Sequence, residues 1–288
     1  MKINCKKFKN GDKQPESIQE VGEELACIAL VPGQATLKAI SSFFYFLGDC
    51  SILLLKTFGF ILKGSISMRE TVYQMSAIGV SSLPIVLITV AFSGAVLSLY
   101  LAQLVVKFGM GSYTGAAVGL SVTREIAPVL TAVVVTARSG SAMAAELGSM
   151  KVTEQIDALR ALAVSPIEYL VVPRLLACML MLPVLTIFAN VIGIIAGYFV
   201  AVANGVAGGG FISSVKGFVT VHDVMMGLLK TVFFAAVIAM VGVQQGLGTR
   251  GGATGVGKST TSAVVISIVV IYILNFILAY IFFGGRTA

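Results

Sequence analysis

Long uncharged runs separate short clusters of charge along this chain. The runs cover residues 71–106, 126–137, 175–215, 231–249 and 259–285. A helix needs about 20 apolar residues to cross about 30 Å of hydrocarbon, so most of these runs are long enough for a transmembrane helix. The runs are too long and too continuous for the alternating strands of a membrane β-barrel. The pattern therefore predicts a helical membrane protein.

The predicted spans follow from these runs and from the charges that bound them. The shortest run qualifies only if its helix begins before Arg124 and carries that charge inside the membrane. We predict five spans, at about residues 79–106, 115–138, 170–202, 224–248 and 260–284.

The distribution of basic residues predicts an N-terminus in the cytoplasm. Five spans then place loops 107–114 and 203–222 and the C-terminus outside. Basic residues favour the cytoplasmic side of membrane proteins, and the predicted internal segments hold most of them. The internal ones include Arg138, Lys151, Arg160, Arg174, Arg250 and Lys258, whereas the external ones are Lys107, Lys216 and Arg286.

The region before the first span divides in two. Residues 1–35 are polar and predict a cytoplasmic lead-in. Residues 36–63 are apolar, but at about 100° per residue four charged side chains fall within about 40° of one another. Such a stripe favours an interfacial amphipathic helix; the alternative is a first spanning helix with snorkelling lysines. The four are Lys38, Asp49, Lys56 and Lys63.

Composition supports the membrane assignment and excludes several kinds of site. The chain is 57% hydrophobic and 11% charged, with a mean hydropathy of +0.97, far from soluble globular proteins. Its four cysteines are scattered without CxxC spacing and it has one histidine, so we predict no metal site. The net charge of +7 concentrates in the lysine-rich N-terminus. That suits a segment beside anionic lipid, and we infer no nucleic-acid partner.

Three charged residues fall inside predicted spans. Arg124 and Glu125 lie in the second span and Lys230 in the fourth. A lone charge at such depth costs at least about 2.5–3.5 kcal/mol, so it normally faces a polar cavity or a partner. One acid with two bases could hold a zwitterionic or anionic headgroup, or the three could simply pair among themselves. Small residues four apart, such as Gly193 and Gly197, permit close helix contacts within or between subunits.

Residues 252–259 match the phosphate-binding pattern G-x-x-x-x-G-K-[ST]. A working loop of this kind follows a buried strand and opens a helix over a parallel sheet. Here an apolar helix precedes it and a predicted span follows. We therefore interpret the segment as a glycine-rich cytoplasmic turn with Lys258 at the membrane boundary, and expect the chain to have no ATPase or other enzymatic activity and no catalytic residue.

The charge-rich segment between the second and third spans is typical of a surface presented to a partner in water. It reads RSGSAMAAELGSMKVTEQIDALRALAVSP over residues 138–166, and LSVTREIAPV over 120–129 precedes it. Together with Pro173-Arg174 and the glycine-rich turn at 251–257, these motifs closely resemble the MlaE/YrbE family of ABC-transporter permeases. The resemblance covers about residues 40–285.

The resemblance implies an all-α integral membrane protein, with an interfacial helix, five spans and a short cytoplasmic coupling helix at about 143–162. It implies a homodimer that moves phospholipids between membranes. Its partners would be a separate ATPase that binds ATP and Mg²⁺ and an external MCE-domain lipid-binding protein, with no cofactor in this chain. The membrane would be the bacterial inner membrane or the chloroplast inner envelope. The alternative on the same scaffold is transport of another hydrophobic molecule, such as a sterol.

The resemblance also implies roles for individual residues. Arg124, Glu125 and Lys230 match polar positions of the lipid cavity, and Leu99, Tyr100 and Gln103 are candidates for its wall. Contact with the ATPase would fall on an amphipathic coupling helix whose charges point outward. Its candidate residues are Glu146, Lys151, Glu154, Gln155, Asp157 and Arg160.

Overall fold

The computed structural model describes residues 48–63 and 67–284, and it divides the chain into two units, residues 1–52 and 53–288. In the first unit, residues 48–52 are helical. The predicted lead-in at 1–35 and residues 36–47 of the predicted interfacial helix lie outside the described residues. The interfacial position of that helix stays a prediction.

The described part of the second unit is helical and has no strand. Five of its helices are long and apolar enough to cross a membrane, which confirms the predicted all-α membrane class and the five spans. In chain order the helices are α1 (53–62), α2 (Met68–Lys107), α3 (Gly111–Val152), α4 (Gln155–Ala161), α5 (Ile167–Ala203), α6 (Gly208–Phe218), α7 (Val221–Leu247) and α8 (Gly252–Phe283).

Several helices extend beyond the apolar runs that predicted them. Helix α3 continues to Val152, well past the predicted end at residue 138. The loop predicted at 203–222 contains helix α6, whose Phe211 is buried against Tyr198 with ring centroids 5.6 Å apart. Hydropathy marks the part of a helix that lies in hydrocarbon, whereas backbone hydrogen bonding continues the helix into the polar region.

Among the described residues, wide π-type turns occur at four places: Ser76–Val80 in α2, Val122–Ile126 and Thr136–Gly140 in α3, and Ile167–Val171 at the beginning of α5. Such turns often mark functional sites in helices. Arg138 connects two of them, because its guanidinium donates to the carbonyl of Ala77 (3.3 Å) and to Ser82 Oγ (3.2 Å). These two hydrogen bonds therefore connect the wide turn of α2 to the second wide turn of α3.

Small residues bring the helices into backbone contact within one chain. A Cβ placed on Gly94 of α2 would lie 2.5 Å from the carbonyl oxygen of Gly193 in α5. Nearby, Ser98 Oγ donates to the carbonyl of Gly197 at 2.6 Å. These glycines thus serve packing within the subunit, one of the two uses that the sequence left open.

The segment that matches the phosphate-binding pattern is helical. Gly251 and Gly252 have left-handed φ values of 89° and 69°, and residues 252–259 form the first two turns of α8. The predicted glycine-rich turn is therefore confined to its first residues, and the prediction that it extends to 259 is wrong. A buried strand does not precede it anywhere in the described chain. The helix begins early because only the two left-handed glycines are needed to reverse the chain.

The variant Gly257→Ala/Lys258→Ala should leave ATP hydrolysis unchanged in the complex with the ATPase that the resemblance implies. Both residues are exposed, and a Cβ on Gly257 meets no atom within 4 Å. Alanine at a helical glycine should stabilise α8 by up to about 1 kcal/mol. The measurement is the hydrolysis rate of the co-purified complex. Loss of hydrolysis with intact assembly would contradict the helical interpretation.

Candidate functional site

A wide turn in the middle of α3 carries the two adjacent charges Arg124 and Glu125. The turn covers Val122–Ile126, and Pro128 follows it in the next helical segment. Adjacent residues of a helix point about 100° apart, so the two side chains leave the turn in different directions. Arg124 reaches the start of α7, and Glu125 reaches a lysine two turns further along that helix.

Glu125 forms an ion pair with Lys230 of α7 and a hydrogen bond with Asn275 of α8. Lys230 Nζ lies 2.7 Å from Glu125 Oε1, and it also donates to the carbonyl of Arg124 (3.1 Å) and to Asn275 Oδ1 (3.2 Å). Asn275 Nδ2 donates to Glu125 Oε2 at 2.7 Å. Lys230 is fully buried, whereas 43% of the Glu125 side chain is exposed. The cluster thus joins α3, α7 and α8 through a buried cation and a half-exposed anion.

Arg124 has a separate acidic partner, Asp223. Two guanidinium nitrogens lie 2.7 and 2.9 Å from Asp223 Oδ1, and the carboxylate is 2% exposed. Its other oxygen accepts hydrogen bonds from the backbone nitrogen and the hydroxyl of Thr220, which completes a capping box at the start of α7. The Asp223 carboxylate therefore caps the N-terminus of α7 and also fixes the direction of the Arg124 side chain.

The aromatic ring of Phe283, near the end of α8, lies over both cations of the cluster. Its centroid is 4.6 Å from Arg124 Cζ and 5.2 Å from Lys230 Nζ. Both distances are within the range of a cation–π interaction. The ring therefore covers the basic side of the cluster.

The acidic side of the cluster opens onto a pocket of about 280 Å³ between α2, α3 and α8. A larger apolar groove of about 500 Å³ runs beside it, and the two share Ser93 and Ile126. Glu125, Asn275 and Tyr272 line the pocket. The residues particular to the groove are Phe92, Val96, Leu97 and Tyr100.

The structure brings some of the predicted site residues together and leaves others apart. Arg124, Glu125 and Lys230 form one cluster, and Tyr100 lines the adjoining groove. Leu99 and Gln103 line neither cavity. The roles of all six in substrate binding stay predictions.

Sequence reasoning missed the two partners that complete the cluster, Asp223 and Asn275. Each had a usable signal. Asp223 follows Thr220 by three residues, the spacing of a capping box. Asn275 is the one amide side chain in the uncharged run 259–285, and polar groups in a membrane helix require a partner.

Gly227 allows α7 to approach the wide turn of α3. A Cβ at this position would collide with the carbonyl oxygen of Thr123, the residue before Arg124. We expect Gly227→Ala to separate the helices and to lower the free energy of unfolding by about 1–3 kcal/mol, as overpacking does. The measurement is SDS-induced unfolding followed by circular dichroism. In the control Gly217→Ala, the added methyl meets no atom within 4 Å and should cost nothing. Equal stability of the two variants would contradict this packing.

The predicted coupling helix at 143–162 is not one helix. Helix α3 ends at Val152, Glu154 adopts a left-handed φ of 58°, and the short helix α4 follows. The resemblance implied one helix, but Leu147 and Ile156, which lie nine residues apart and are both buried at 0% and 1% exposure, would fall on opposite faces of a continuous helix. The left-handed residue reverses the chain between them, so both still reach the core.

Asp157 organises the charges of α4. It lies 3.0 Å from Lys151 Nζ and 2.9 Å from an Arg160 nitrogen. The hydrogen bond from Lys151, with the positive charges of Lys151 and Arg160, holds the pKa of Asp157 below its usual value. The carboxylate is therefore anionic at neutral pH. Glu154 and Gln155 are exposed beside it.

Glu146 has an internal partner that the sequence did not indicate. Its carboxylate lies 2.9 Å from Arg174 of α5, and the Arg174 side chain is only 3% exposed. Arg174 also donates to the carbonyl of Leu170 at 2.7 Å. This ion pair connects the end of α3 to the beginning of α5.

Five apolar helices, three of which share the charge cluster, define a multi-pass integral membrane protein. Residues 71–281 match the family model described as Permease MlaE. The chain belongs to this family and is an ABC transporter permease, a subunit type that implies an ATPase partner.

Similar proteins come from bacteria and from plants. A probable ABC transporter permease protein of Synechocystis is 46% identical over 226 residues, which cover 78% of this chain and 86% of the relative. TRIGALACTOSYLDIACYLGLYCEROL 1, a chloroplastic protein of Arabidopsis thaliana, is 38% identical over 78% of this chain and 65% of its own length. A probable permease of Rickettsia prowazekii is 36% identical over 89% of this chain and 98% of its own.

Proposed function

We propose that this chain is the permease subunit of a transporter that moves phospholipids between membranes, driven by a separate ATPase. It acts as a homodimer, with an MCE-domain lipid-binding protein on the side opposite the ATPase. Membership of the MlaE permease family supports the transporter class. The Arabidopsis relative bears the name of a galactolipid, which supports a lipid substrate.

One observation carries the choice of a phospholipid: a pocket that holds a carboxylate and an amide lies beside a groove without a charged residue, within the membrane-spanning part of the chain. The pocket contains Glu125 and Asn275, whereas the groove contains Phe92, Val96 and Tyr100. A phospholipid has the same division between a polar headgroup and apolar chains. In this proposal the headgroup occupies the pocket and an acyl chain lies along the groove.

The segment around α4 transmits the ATPase cycle to the spans. The proposed contact surface consists of exposed charges, and Ile156 fixes it to the core. Movement of α4 acts directly on the end of α3, and through the Glu146–Arg174 ion pair it acts on α5. The nucleotide sites belong to the partner, and this chain contributes no catalytic residue.

The proposed membrane is the bacterial inner membrane or, in a plastid lineage, the chloroplast inner envelope, with the N-terminus in the cytoplasm or the corresponding compartment. Relatives from Synechocystis and from the Arabidopsis chloroplast are consistent with both settings.

Photo-crosslinking tests the substrate. The complex of this chain with its ATPase, in nanodiscs, is exposed to a phospholipid that carries a diazirine in its acyl chain, and labelled peptides are identified by mass spectrometry. We expect labelling in the groove of α2, and we expect ATP to change its extent. Labelling elsewhere only, or efficient labelling by a diazirine sterol with none by the phospholipid, would overturn the proposal in favour of another hydrophobic substrate.

A matched pair of variants checks that the pocket is involved. Glu125→Gln removes the charge that faces the pocket and should reduce labelling. Lys216→Met removes a charge from an exposed position of α6, outside both cavities, and should label like the wild type.

A further inference from the structure

We infer that the pocket beside Glu125 selects a headgroup that carries a primary ammonium, as in a zwitterionic ethanolamine phospholipid. The inference rests on the proposed function and specifies the substrate class of the same site. Its basis is the charge balance of the cluster and the hydrogen-bonding capacity that remains after its internal contacts.

The charge cluster is neutral as a whole. Arg124 pairs with Asp223, and Lys230 pairs with Glu125, so two cations meet two anions. Arg124, Glu125 and Lys230 alone carry a net positive charge, which could suit an anionic headgroup. The buried Asp223 cancels the excess positive charge. A headgroup with a net negative charge therefore finds no compensating charge here.

The two cations are also unavailable for a phosphate in the pocket. An ammonium group has three hydrogens, and those of Lys230 have three acceptors: Arg124 O, Glu125 Oε1 and Asn275 Oδ1. The guanidinium of Arg124 is held by Asp223, is covered on one side by Phe283 and does not line the pocket. The phosphate of a bound lipid thus finds no free cation among the charged residues of this cluster.

The groups that do face the pocket accept hydrogen bonds and attract cations. Each carboxylate oxygen of Glu125 receives one hydrogen bond within the protein, which leaves acceptor capacity on both. Tyr272 lines the same pocket with half of its surface exposed, and an aromatic face attracts an ammonium ion. A carboxylate beside an aromatic ring favours a charged donor over a neutral hydroxyl.

Three common phospholipid headgroups differ in their charge and in the hydrogen-bond donors that they offer to the pocket. Ethanolamine offers a positive charge and three N–H donors. Choline offers the charge without N–H donors, and glycerol offers O–H donors on a lipid of net negative charge. A charge-assisted hydrogen bond contributes about 1.5–3 kcal/mol, so its loss should weaken competition by roughly tenfold or more.

A competition experiment tests the inference. The photo-crosslinking complex is prepared in nanodiscs of fixed size, and unlabelled phosphatidylethanolamine, phosphatidylcholine or phosphatidylglycerol is added in increasing proportion. Phosphatidylethanolamine should suppress groove labelling at about a tenth of the concentration that the other two require. Equal suppression by all three, or stronger suppression by phosphatidylglycerol or phosphatidylcholine, would overturn the inference while the phospholipid substrate stands. Absence of phospholipid labelling at the groove would instead refute the proposed function.

Two variants link the preference to the pocket. Glu125→Gln keeps the size and an acceptor oxygen but removes the charge, so the variant should lose the preference for phosphatidylethanolamine while it still labels. Tyr272→Leu should reduce the preference by a smaller factor. Lys216→Met should keep the full preference. A preference unchanged in Glu125→Gln would show that the selectivity arises elsewhere.

Discussion

Glu125→Leu is expected to lower the free energy of unfolding by about 3 kcal/mol, because it leaves the ammonium of Lys230 buried without its counter-charge. Lys230 has no exposed surface. Its other two acceptors are uncharged: the backbone carbonyl of Arg124 and the side-chain amide oxygen of Asn275. Because Glu125 is half-exposed, the expected loss of unfolding free energy lies at the lower end of the range for a broken buried ion pair. Since the chain has no tryptophan, SDS unfolding followed by far-ultraviolet circular dichroism is the suitable measurement.

The double variant Glu125→Leu/Lys230→Met separates stability from function. Replacing both partners by apolar groups removes the uncompensated charge, so most of the lost stability should return. Phospholipid labelling in the groove should stay low, because the pocket has lost its carboxylate. A double variant as unstable as the single one would contradict the ion pair as the source of the effect. Full labelling by the stable double variant would contradict the role of Glu125 in binding.

Asp157→Lys is expected to abolish assembly with the ATPase. The change places a third positive charge between Lys151 and Arg160, which now pair with Asp157 at 3.0 and 2.9 Å. Like charges at this separation should force α4 out of its position at the end of α3. The measurement is co-purification of the ATPase with this chain, followed by the hydrolysis rate of whatever complex is recovered.

Glu168→Lys is the matched control for that variant. It makes the same change in net charge at the start of α5, outside α4. This control should assemble and hydrolyse ATP like the wild type. If Asp157→Lys also assembles and turns over normally, α4 is not the coupling surface, and contact with the ATPase must lie elsewhere on the chain.

Charged residues inside apolar runs were enough to predict part of the candidate site. Arg124, Glu125 and Lys230 were predicted because a charge inside an apolar run is costly and needs a reason. Asp223 and Asn275 were missed because an acid near a predicted loop carries no such penalty and a neutral amide carries a smaller one. Only the packing of α3, α7 and α8 shows that these two complete the pairs.

The segment after the second span shows a different limit. The family resemblance implied one coupling helix over 143–162, and the structure buries Leu147 and Ile156 of this segment. The left-handed Glu154 breaks that helix. A glutamate carries no sequence signal for this conformation, because glycine or asparagine is the usual residue there.

The sequence by itself determined the class, the five spans and the family of this protein. Those properties depend on hydrophobic runs and ordered motifs, which are local and additive along the chain. The tertiary structure alone decided which charges pair, which side of Glu125 opens to a pocket, and that Gly94 and Gly193 join helices of one subunit. Those outcomes depend on the rotation and separation of helices far apart in sequence, which are set by close packing of many side chains at once.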